Sequence, residues 1–445
     1  MVSKVPVSKL YSEAFARLEE VVEARKSRGI YPALGYTSNL DLLCNFRVSV
    51  LNELIARHLP GLTRADLKIP AWIESLEDLL VAVAYFCVHG IGGEVEIADG
   101  EILKEHFAWV PGVGGTGVQA AKALAAIGCP SIVHLTDDSE EVCRLLDSPF
   151  IYTVGGDGRL IRTSQVVPVH PQEVHYIIQF RKGDVVELGE EKIPVPASNR
   201  LIVTKVTVNK ILPFSERYFR YVEENAGSIS SNVISSFNVI LDQEIAAERL
   251  EYVKAHVEEY RSKNPRGIVF FEEAHYHSQS IRRLCAETIY SVADILSLNE
   301  EELQSLLAMY GFPKKADGIL ERVEGAKFLR ERLGVRRGII VHTKDYSMYA
   351  GDELEANIEM GLAYGNLLAT AKAVHGTYGT REQIRELLKL EESERGLEAR
   401  RRVHERGLEK EAVVVPTKYI DKPKYTIGLG DSFVAGVQLC FGLAL

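Results

Sequence analysis

Tyr425-Thr426-Ile427-Gly428-Leu429-Gly430-Asp431-Ser432-Phe433-Val434-Ala435-Gly436 is the most informative stretch of this 445-residue sequence. A short apolar run is followed by two glycines, an acidic residue and small residues suited to the start of a helix. Glycines allow backbone N–H groups to turn toward an anion, and the N-terminus of the following helix adds about half a positive charge. The stretch therefore predicts an anion hole at a strand-to-helix turn.

Asp431 is the unexpected residue at this turn, because a carboxylate repels phosphate. Its presence is explained if it takes a proton from an attacking hydroxyl. The combination predicts phosphoryl transfer to an alcohol. A simpler interpretation stays open, in which Gly428 and Gly430 only shape the turn and Asp431 caps the helix.

The rest of the chain predicts an α/β fold class. Apolar runs rich in β-branched residues alternate with stretches of helical period, which favours a parallel sheet with helices on both faces. Residues 150–208 break this alternation with closely spaced strands, for example 175–181 and 200–206, joined by turns such as 155–158. These strands predict an antiparallel insertion of the kind that forms a lid.

The composition of the sequence limits the classes of partner that we expect for the protein. The net charge of -10 comes from 62 acidic and 52 basic residues, without a basic tract that could neutralise a run of phosphates, so we expect no nucleic acid partner. No segment approaches the ~18 consecutive apolar residues of a membrane span. The six cysteines form no C-x-x-C pair and predict reduced thiols of a cytoplasmic protein, although their even number leaves a disulfide open.

Several motifs together resemble those of a known family. Gly428-Leu429-Gly430-Asp431 resembles the G-x-G-D signature of the ribokinase-like superfamily. Asn39-Leu40-Asp41 resembles its first-strand N-x-D sugar site, Gly114-Gly115 its paired glycines, and Asn299-Glu300-Glu301-Glu302 its N-x-x-E motif. With His342, Tyr349 and the run ending at Val415 and Pro416, the order of motifs resembles the archaeal ADP-dependent glucokinase and phosphofructokinase family.

The resemblance implies two domains that close over a sugar and a nucleotide. A large ribokinase-like α/β domain, a parallel-sheet core covered by helices, would comprise residues 1–36, 61–93, 113–157 and 207–445. A smaller β-rich lid domain would comprise residues 37–60, 94–112 and 158–206. The β-phosphate of ADP would pass to a hexose hydroxyl, with AMP as product.

The resemblance also implies roles at the catalytic turn and the nucleotide site. Asp431 would be the base, and the N–H groups of Leu429, Gly430 and Asp431 would stabilise charge on the transferred phosphoryl group, with Gly428 completing the turn. The implied nucleotide contacts are His342, Tyr349, Val415 and Thr426.

A Mg²⁺ site is implied at Glu302 and Glu272, with Asn299 orienting the water shell. Asn299 followed by acidic residues is also the pattern of a capped helix start. The family's H-x-E motif falls on Phe270-Phe271-Glu272, so the acid is kept and the histidine is lost. Either the metal shell is rearranged or activity is reduced. His275 and His277 lie close enough in sequence to substitute, although histidines after a strand are commonly ordinary loop residues.

Asn39 and Asp41 are predicted to bind sugar hydroxyls, with Gly114 and Gly115 allowing close approach of the backbone. An ordinary strand-end turn also explains the pair.

Two further positions bear on the choice of sugar. Glu94 matches a position where glucose-using members carry an acid, although an exposed turn carboxylate explains it equally well. Arg200 matches one basic lid residue of the phosphofructokinases, whereas Glu173 and Val206 stand where others would be basic. An unphosphorylated hexose such as glucose is therefore the predicted acceptor.

Three alternatives remain open. They are an ADP-dependent 6-phosphofructokinase, a sister kinase that uses ATP or another hydroxyl substrate, and a catalytically impaired binding protein. Composition does not separate ADP from ATP, because both need the same anion hole. Oligomeric state is not predicted.

Overall fold

The computed structural model describes residues 7–421, 423–425 and 427–442, and two mixed sheets and one hairpin form within them. The strands are β1 (Tyr31–Leu34), β2 (Asn39–Cys44), β3 (Trp72–Ile73), β4 (Gly93–Ile97), β5 (Trp109–Gly114), β6 (Ser131–Val133), β7 (Ile151–Val154), β8 (Leu160–Arg162), β9 (Val174–Phe180), β10 (Val185–Leu188), β11 (Glu191–Pro194), β12 (Asn199–Lys205), β13 (Ile229–Ile234), β14 (Ile268–Glu272), β15 (Ile295–Asn299), β16 (Gly338–His342), β17 (Tyr346–Gly351) and β18 (Ala412–Pro416).

The α-helices follow the apolar periodicity of the sequence. They are α1 (Val7–Arg28), α2 (Val48–His58), α3 (Leu76–His89), α4 (Glu101–His106), α5 (Thr116–Ala126), α6 (Glu140–Leu145), α7 (Glu216–Glu224), α8 (Gln243–Lys263), α9 (Gln279–Thr288), α10 (Glu300–Met309), α11 (Ile319–Leu333), α12 (Ile358–His375), α13 (Arg381–Leu387), α14 (Glu394–Glu405) and α15 (Leu429–Val437). No helix in the described ranges is long and apolar enough to cross a lipid bilayer.

The larger sheet has the strand order β18-β17-β16-β15-β14-β13-β1-β6-β7-β8. Its centre is parallel from β16 to β7, and antiparallel strands close both edges. Successive side chains of β13 and β14 are buried on opposite faces, Val233 and Phe270 on one and Ile234 and Phe271 on the other. Helices α1, α5, α12 and α15 bury the first face, and α7 to α11 with α14 bury the second. The predicted α/β fold class is therefore confirmed.

The smaller sheet has the order β3-β4-β12-β9-β2-β5 and mixes parallel and antiparallel pairs. Side chains such as Leu42, Ile178 and Leu201 face the hydrophobic core shared with α2 and α3. The alternating positions, among them Asp41, His175 and Arg200, occupy the opposite face, because side chains alternate along a strand. The β10–β11 hairpin packs against α2 and α3.

The strands divide the chain differently from the predicted domain ranges at two places. β3 and α3 lie within 61–93, which was assigned to the larger domain, but β3 pairs in parallel with β4 and α3 is the crossover between them. β8 lies within 158–206, assigned to the lid, but it pairs with β7 at the edge of the larger sheet. Within residues 150–208 the strand pairs are antiparallel, as predicted, whereas β9 pairs in parallel with β2 outside this segment.

The chain passes between the sheets at four places, from β1 to β2, from β5 to α5, from β8 to β9 and from β12 to α7. Polar contacts join three of these passages. Ser38 Oγ donates to the carbonyl of Asp137, Thr136 Oγ1 donates to Asn209 Oδ1, and Asp137 Oδ2 accepts from the N–H of Glu173. These three hydrogen bonds form one polar cluster between the two sheets.

Candidate active site

The turn before α15 is built around a glycine that no other residue can replace without strain. Gly428 is the N-cap of α15 and has φ 65°, in the left-handed region. A Cβ at this position would overlap Oε1 of Gln119 and lie 2.5 Å from Nζ of Lys372. The backbone at Gly428 therefore approaches these two side chains closely.

Asp431 lies in the first turn of α15 and is partly buried. Burial raises the pKa of Asp431, while Lys372 and a hydrogen bond with Thr116 act to lower it. The N-terminal N–H groups of α15, at Leu429 and Gly430, begin the same turn. A carboxylate whose pKa is raised by burial, beside the N–H groups of the first helical turn, can accept a proton from a group bound at the turn.

Lys372 is a site residue that sequence reasoning missed. It belongs to α12, is 3% exposed, and donates a hydrogen bond from Nζ to Oε1 of Gln119. The ammonium lies 4.3 Å from the ring centroid of Tyr378. Burial lowers the pKa of Lys372 to about 8, and the charges of Asp431 and Asp41 act in the opposite direction. The available signal was a single lysine within the apolar stretch 362–374.

The predicted sugar residues of the smaller sheet lie together. Nδ2 of Asn39 donates to Oδ1 of Asp41 over 2.6 Å, and a Cβ at Gly114 would overlap the amide of Asn39. Burial raises the pKa of Asp41, and His175 acts to lower it. Gly115 has φ 105°, and a Cβ there would overlap the carbonyl of Thr37.

His175 is a second residue that the sequence did not reveal. Its Nδ1 lies 3.2 Å from Nδ2 of Asn39, and its Nε2 lies 3.3 Å from Oε1 of Glu173. Glu173 also accepts from the hydroxyl of Thr207. His175 therefore links the sugar pair to a buried carboxylate at one of the passages between the sheets.

Glu94 lies on the same face, where it meets the larger sheet. Its Oε2 is 3.3 Å from Nε2 of His277, which follows β14. The side chains are 35% and 53% exposed. Burial acts to raise the pKa of Glu94, but hydrogen bonding to His277 and the nearby His175 hold it below its usual value. Arg200 is exposed in β12, two residues before Ile202, the partner of Glu94 in β4.

Glu272 and His342 lie beside the start of α15. Oε1 of Glu272 is 3.1 Å from Nε2 of His342, and a Cβ at Gly430 would lie 3.8 Å from the same carboxylate oxygen. Oε2 of Glu272 is buried and makes no hydrogen bond to the described residues. Burial raises the pKa of Glu272, and His342 acts to lower it. The ring of His342 packs on Phe433, with centroids 4.9 Å apart.

Asn299 and Glu302 form the capping box of α10. Oδ1 of Asn299 accepts from the N–H groups of Glu301 and Glu302 over 2.9 Å, and Oε2 of Glu302 accepts from the N–H of Asn299 over 2.8 Å. Burial raises the pKa of Glu302 to about 7, with a further contribution from Glu272. The capping interpretation of Asn299 therefore holds, and Glu302 lies within electrostatic reach of Glu272.

These carboxylates fit a Mg²⁺ ion held with few protein ligands. The described residues contain no group of three or more His, Cys, Asp or Glu side chains that could hold a metal. Mg²⁺ commonly takes only one or two carboxylates and completes its shell with water and substrate phosphates. The buried Oε2 of Glu272, which makes no hydrogen bond to the described residues, is a suitable donor, and Glu302 lies within electrostatic reach of Glu272.

Phe270 stands at the H-x-E position where the family has a histidine, and its side chain fills that space. Its ring is fully buried in the core beneath Glu272, on the same face of β14. The imidazole that meets Glu272 comes instead from His342 at the end of β16. His277 contacts Glu94, and His275 is exposed beside His277, so the structure pairs neither with Glu272.

The predicted nucleotide contacts are brought together only in part. Tyr349 is 3% exposed, and its hydroxyl donates to the carbonyl of Asp352, at the opposite end of β16 from His342. Val415 is fully buried, and its carbonyl accepts from Asn366. Strand alternation points both side chains into the core. Thr426 lies outside the described residues.

Comparison with known proteins finds relatives along nearly the whole chain. The family model described as the ADP-specific phosphofructokinase/glucokinase conserved region matches residues 31–439. An ADP-specific phosphofructokinase of Pyrococcus furiosus is 23% identical, covering 95% of this chain and 98% of the relative. An ADP-dependent glucose/glucosamine kinase of the same organism is 25% identical, covering 95% and 96%.

Solved structures share the fold. A hypothetical ADP-dependent phosphofructokinase from Pyrococcus horikoshii OT3 superposes with a TM-score of 0.76 at 21% identity, covering 92% of this chain and 97% of that one. An ADP-dependent kinase in complex with fructose-6-phosphate and ADPβS superposes with a TM-score of 0.74 at 21% identity, covering 97% of both chains.

Proposed function

Because the chain belongs to the ADP-specific phosphofructokinase and glucokinase family, a family of phosphotransferases, we propose that it transfers the β-phosphate of ADP to a sugar hydroxyl and releases AMP. The observation that carries this proposal is Asp431, a partly buried carboxylate in the first turn of α15, within electrostatic reach of the sugar-facing Asp41. A proton acceptor and an anion-binding helix end are thereby combined beside a site for hydroxyl groups.

The proposed mechanism relies on positioning. Asp431 takes the proton from the acceptor hydroxyl as its oxygen attacks the β-phosphorus, and the bond from that phosphorus to the oxygen bridging to the α-phosphate breaks. The N–H groups of Leu429 and Gly430 stabilise charge on the transferred phosphoryl group. Glu272 and Glu302 would hold Mg²⁺, which neutralises phosphate charge when bound, and Asn299 fixes Glu302 through the capping box.

The nucleotide would lie against the end of β16. His342 stands there beside the first turn of α15, with its ring fixed between Glu272 and Phe433. Burial lowers the pKa of His342, but the hydrogen bond and charge of Glu272 together leave it above its usual value. A cationic imidazole would suit a phosphate of the nucleotide. Tyr349 and Val415 would then act by shaping the strands behind this site.

We propose a neutral hexose such as glucose as the acceptor in preference to a sugar phosphate. Asp41, Glu94 and Glu173 place three carboxylates on or next to one face of the smaller sheet, with His175 between them. This charge would repel a phosphate dianion, whereas carboxylates accept hydrogen bonds from hydroxyl groups. Asn39, Gly114 and Gly115 would complete the sugar site through an amide and closely approaching backbone.

The proposed function is tested by a matrix of donors and acceptors assayed with Mg²⁺. ADP and ATP are each combined with glucose, glucosamine and fructose 6-phosphate, and AMP, ADP and sugar phosphate are quantified. We expect AMP to form with ADP as donor and glucose as the preferred acceptor. Turnover with ATP alone would contradict the donor assignment, and a wild-type protein that uses fructose 6-phosphate but ignores glucose would contradict the acceptor assignment. Stabilisation by ligands without turnover would favour a binding protein.

Two substitutions, Glu94→Ala and Arg200→Ala, distinguish glucose from fructose 6-phosphate as the acceptor. Glu94→Ala removes a hydroxyl partner, so we expect a higher KM for glucose. His277→Ala is its control, because it removes the contact between the sheets while leaving the carboxylate. Arg200→Ala should weaken any use of fructose 6-phosphate by about 1.5–3 kcal/mol and spare glucose. The opposite pattern in steady-state kinetics would indicate a phosphofructokinase.

A further inference from the structure

Lys372 is a buried charged side chain to which the mechanism above gives no task. The ammonium is enclosed by Gln119, the ring of Tyr378 and the closely approaching backbone of Gly428. Burying an ammonium costs free energy unless nearby charges compensate for its lost hydration. The compensating groups here are the carboxylates of Asp431 and Asp41.

We propose that Lys372 is a positioning residue that keeps Asp431 ionised until the acceptor hydroxyl arrives, an inference that rests on the proposed role of Asp431 as the base. Lys372 reaches the active site from α12, and Asp431 from α15, and these two helices pack along one another. The same ammonium faces Asp41, so it also limits the repulsion between the two carboxylates.

The charges before and during the reaction are consistent with this role. In the resting site, two carboxylates and one ammonium leave a net charge of about -1 by simple formal counting. When Asp431 takes the hydroxyl proton, its carboxylate becomes neutral and Lys372 remains within electrostatic reach of Asp41. Lys372 neither gains nor loses a proton in this step. Its charge lowers the cost of keeping Asp431 deprotonated in a buried site beforehand.

Other titratable groups also face this pair. Lys122 approaches Lys372 from α5, and Tyr378 and Tyr425 present their rings from the segments after α12 and before α15. Asp431 is additionally faced by His342 from β16, and Glu272 of β14 lies within electrostatic reach of it. A pH profile therefore needs variants that assign each limb to one group.

The test is the pH dependence of kcat/KM for the acceptor between about pH 5 and about pH 10. In Lys372→Met, the limb that reports ionisation of Asp431 should move to higher pH by about one unit or more, because an opposite charge is lost. Lys372→Arg keeps the charge and should keep this limb in place.

Lys122→Met is the matched control. Lys122 donates to the carbonyl of Leu145 and lies 5.9 Å from the ring centroid of Tyr378, so its loss disturbs the same surroundings without removing the charge of Lys372. The acid limb should stay in place in this variant. Circular dichroism and ADP affinity check folding of each protein.

Two results would overturn the proposal. One is an acid limb in folded Lys372→Met that coincides with the wild-type limb, as a purely structural lysine would give. The other is an acid limb in Lys372→Arg, which keeps the charge, that moves as far as the limb of Lys372→Met. Failure of the proposed base is recognised separately, because Asp431→Asn would then keep its kcat whatever the Lys372 variants do.

Discussion

At the scale of single residues, Asp431 has to be ionised before the reaction and yet accept a proton during it. Burial raises the pKa of Asp431 and the ammonium of Lys372 acts to lower it, so the two requirements are balanced. Replacing Asp431 by asparagine keeps the shape of the turn and the N–H groups of α15. We expect Asp431→Asn to lower kcat by ~10²-fold or more while ADP affinity changes little. Steady-state kinetics and calorimetric titration with ADP measure the two quantities. An unchanged kcat would remove Asp431 from the mechanism.

Gly428 provides a second prediction at this scale. Gly428→Ala combines a strained positive φ with overlap onto Gln119 and Lys372, so we expect a strong loss of kcat in addition to lower stability. Gly158→Ala is the matched control, because Gly158 has φ 77° but no atom within 4 Å of the added Cβ. It should lose about 1 kcal/mol of stability and keep its activity. Equal kcat in both variants would show that the close approach at Gly428 does not matter.

At the scale of the element, the start of α10 has two roles that can be tested separately, which are helix capping by Asn299 and the proposed binding of Mg²⁺. Asn299→Ala removes the side-chain cap, so we expect the free energy of unfolding to fall by about 1 kcal/mol. Asn299→Asp retains a capping oxygen and should retain stability. Denaturant unfolding without Mg²⁺ measures the cap alone, and the Mg²⁺ concentration needed for activity measures the effect on metal binding. Equal stability of Asn299→Ala and the wild-type protein would contradict the capping box.

Short elements whose functional residues are close together in the sequence could be predicted from it. Gly428 and Asp431 stand three residues apart, and the turn, its positive φ and the following helix all depend on local preferences. Lys372 and His175 could not be placed in this way. Lys372 meets Gln119 across 253 residues, and His175 meets Asn39 across 136. These contacts depend on how helices and strands pack, which no local pattern specifies.

A motif does not specify the direction in which strand alternation points a side chain. Contact of Tyr349 and Val415 with a nucleotide stays a prediction, and both side chains point into the core. The pairing of His342 with Glu272 likewise required the neighbouring positions of β14, β15 and β16, since the sequence suggested only His275 and His277 as substitutes for the missing histidine.

At the scale of the whole molecule, the sugar residues lie on the smaller sheet and the base lies on α15, which packs against the larger sheet, so we expect the two to approach during the proposed reaction. We expect protection from hydrogen exchange across β9 and β12 to rise when sugar and ADP are both bound. Strand β13, which is buried throughout, should show no comparable change. Exchange detected by mass spectrometry measures both regions. Unchanged exchange in β9 and β12 under conditions of proven turnover would contradict closure.

The four passages of the chain between its sheets also bear on how such a protein diversifies. The smaller sheet is assembled from two separate stretches, 39–114 and 174–205, and β2 of the first pairs with β9 of the second, as β4 does with β12. A single genetic crossover between two relatives therefore cannot exchange this sheet intact. Exchanging one stretch alone would join strands with different evolutionary histories inside one hydrogen-bonded ladder. Change in acceptor preference is thus easier by point substitution within a lineage than by shuffling gene segments between lineages.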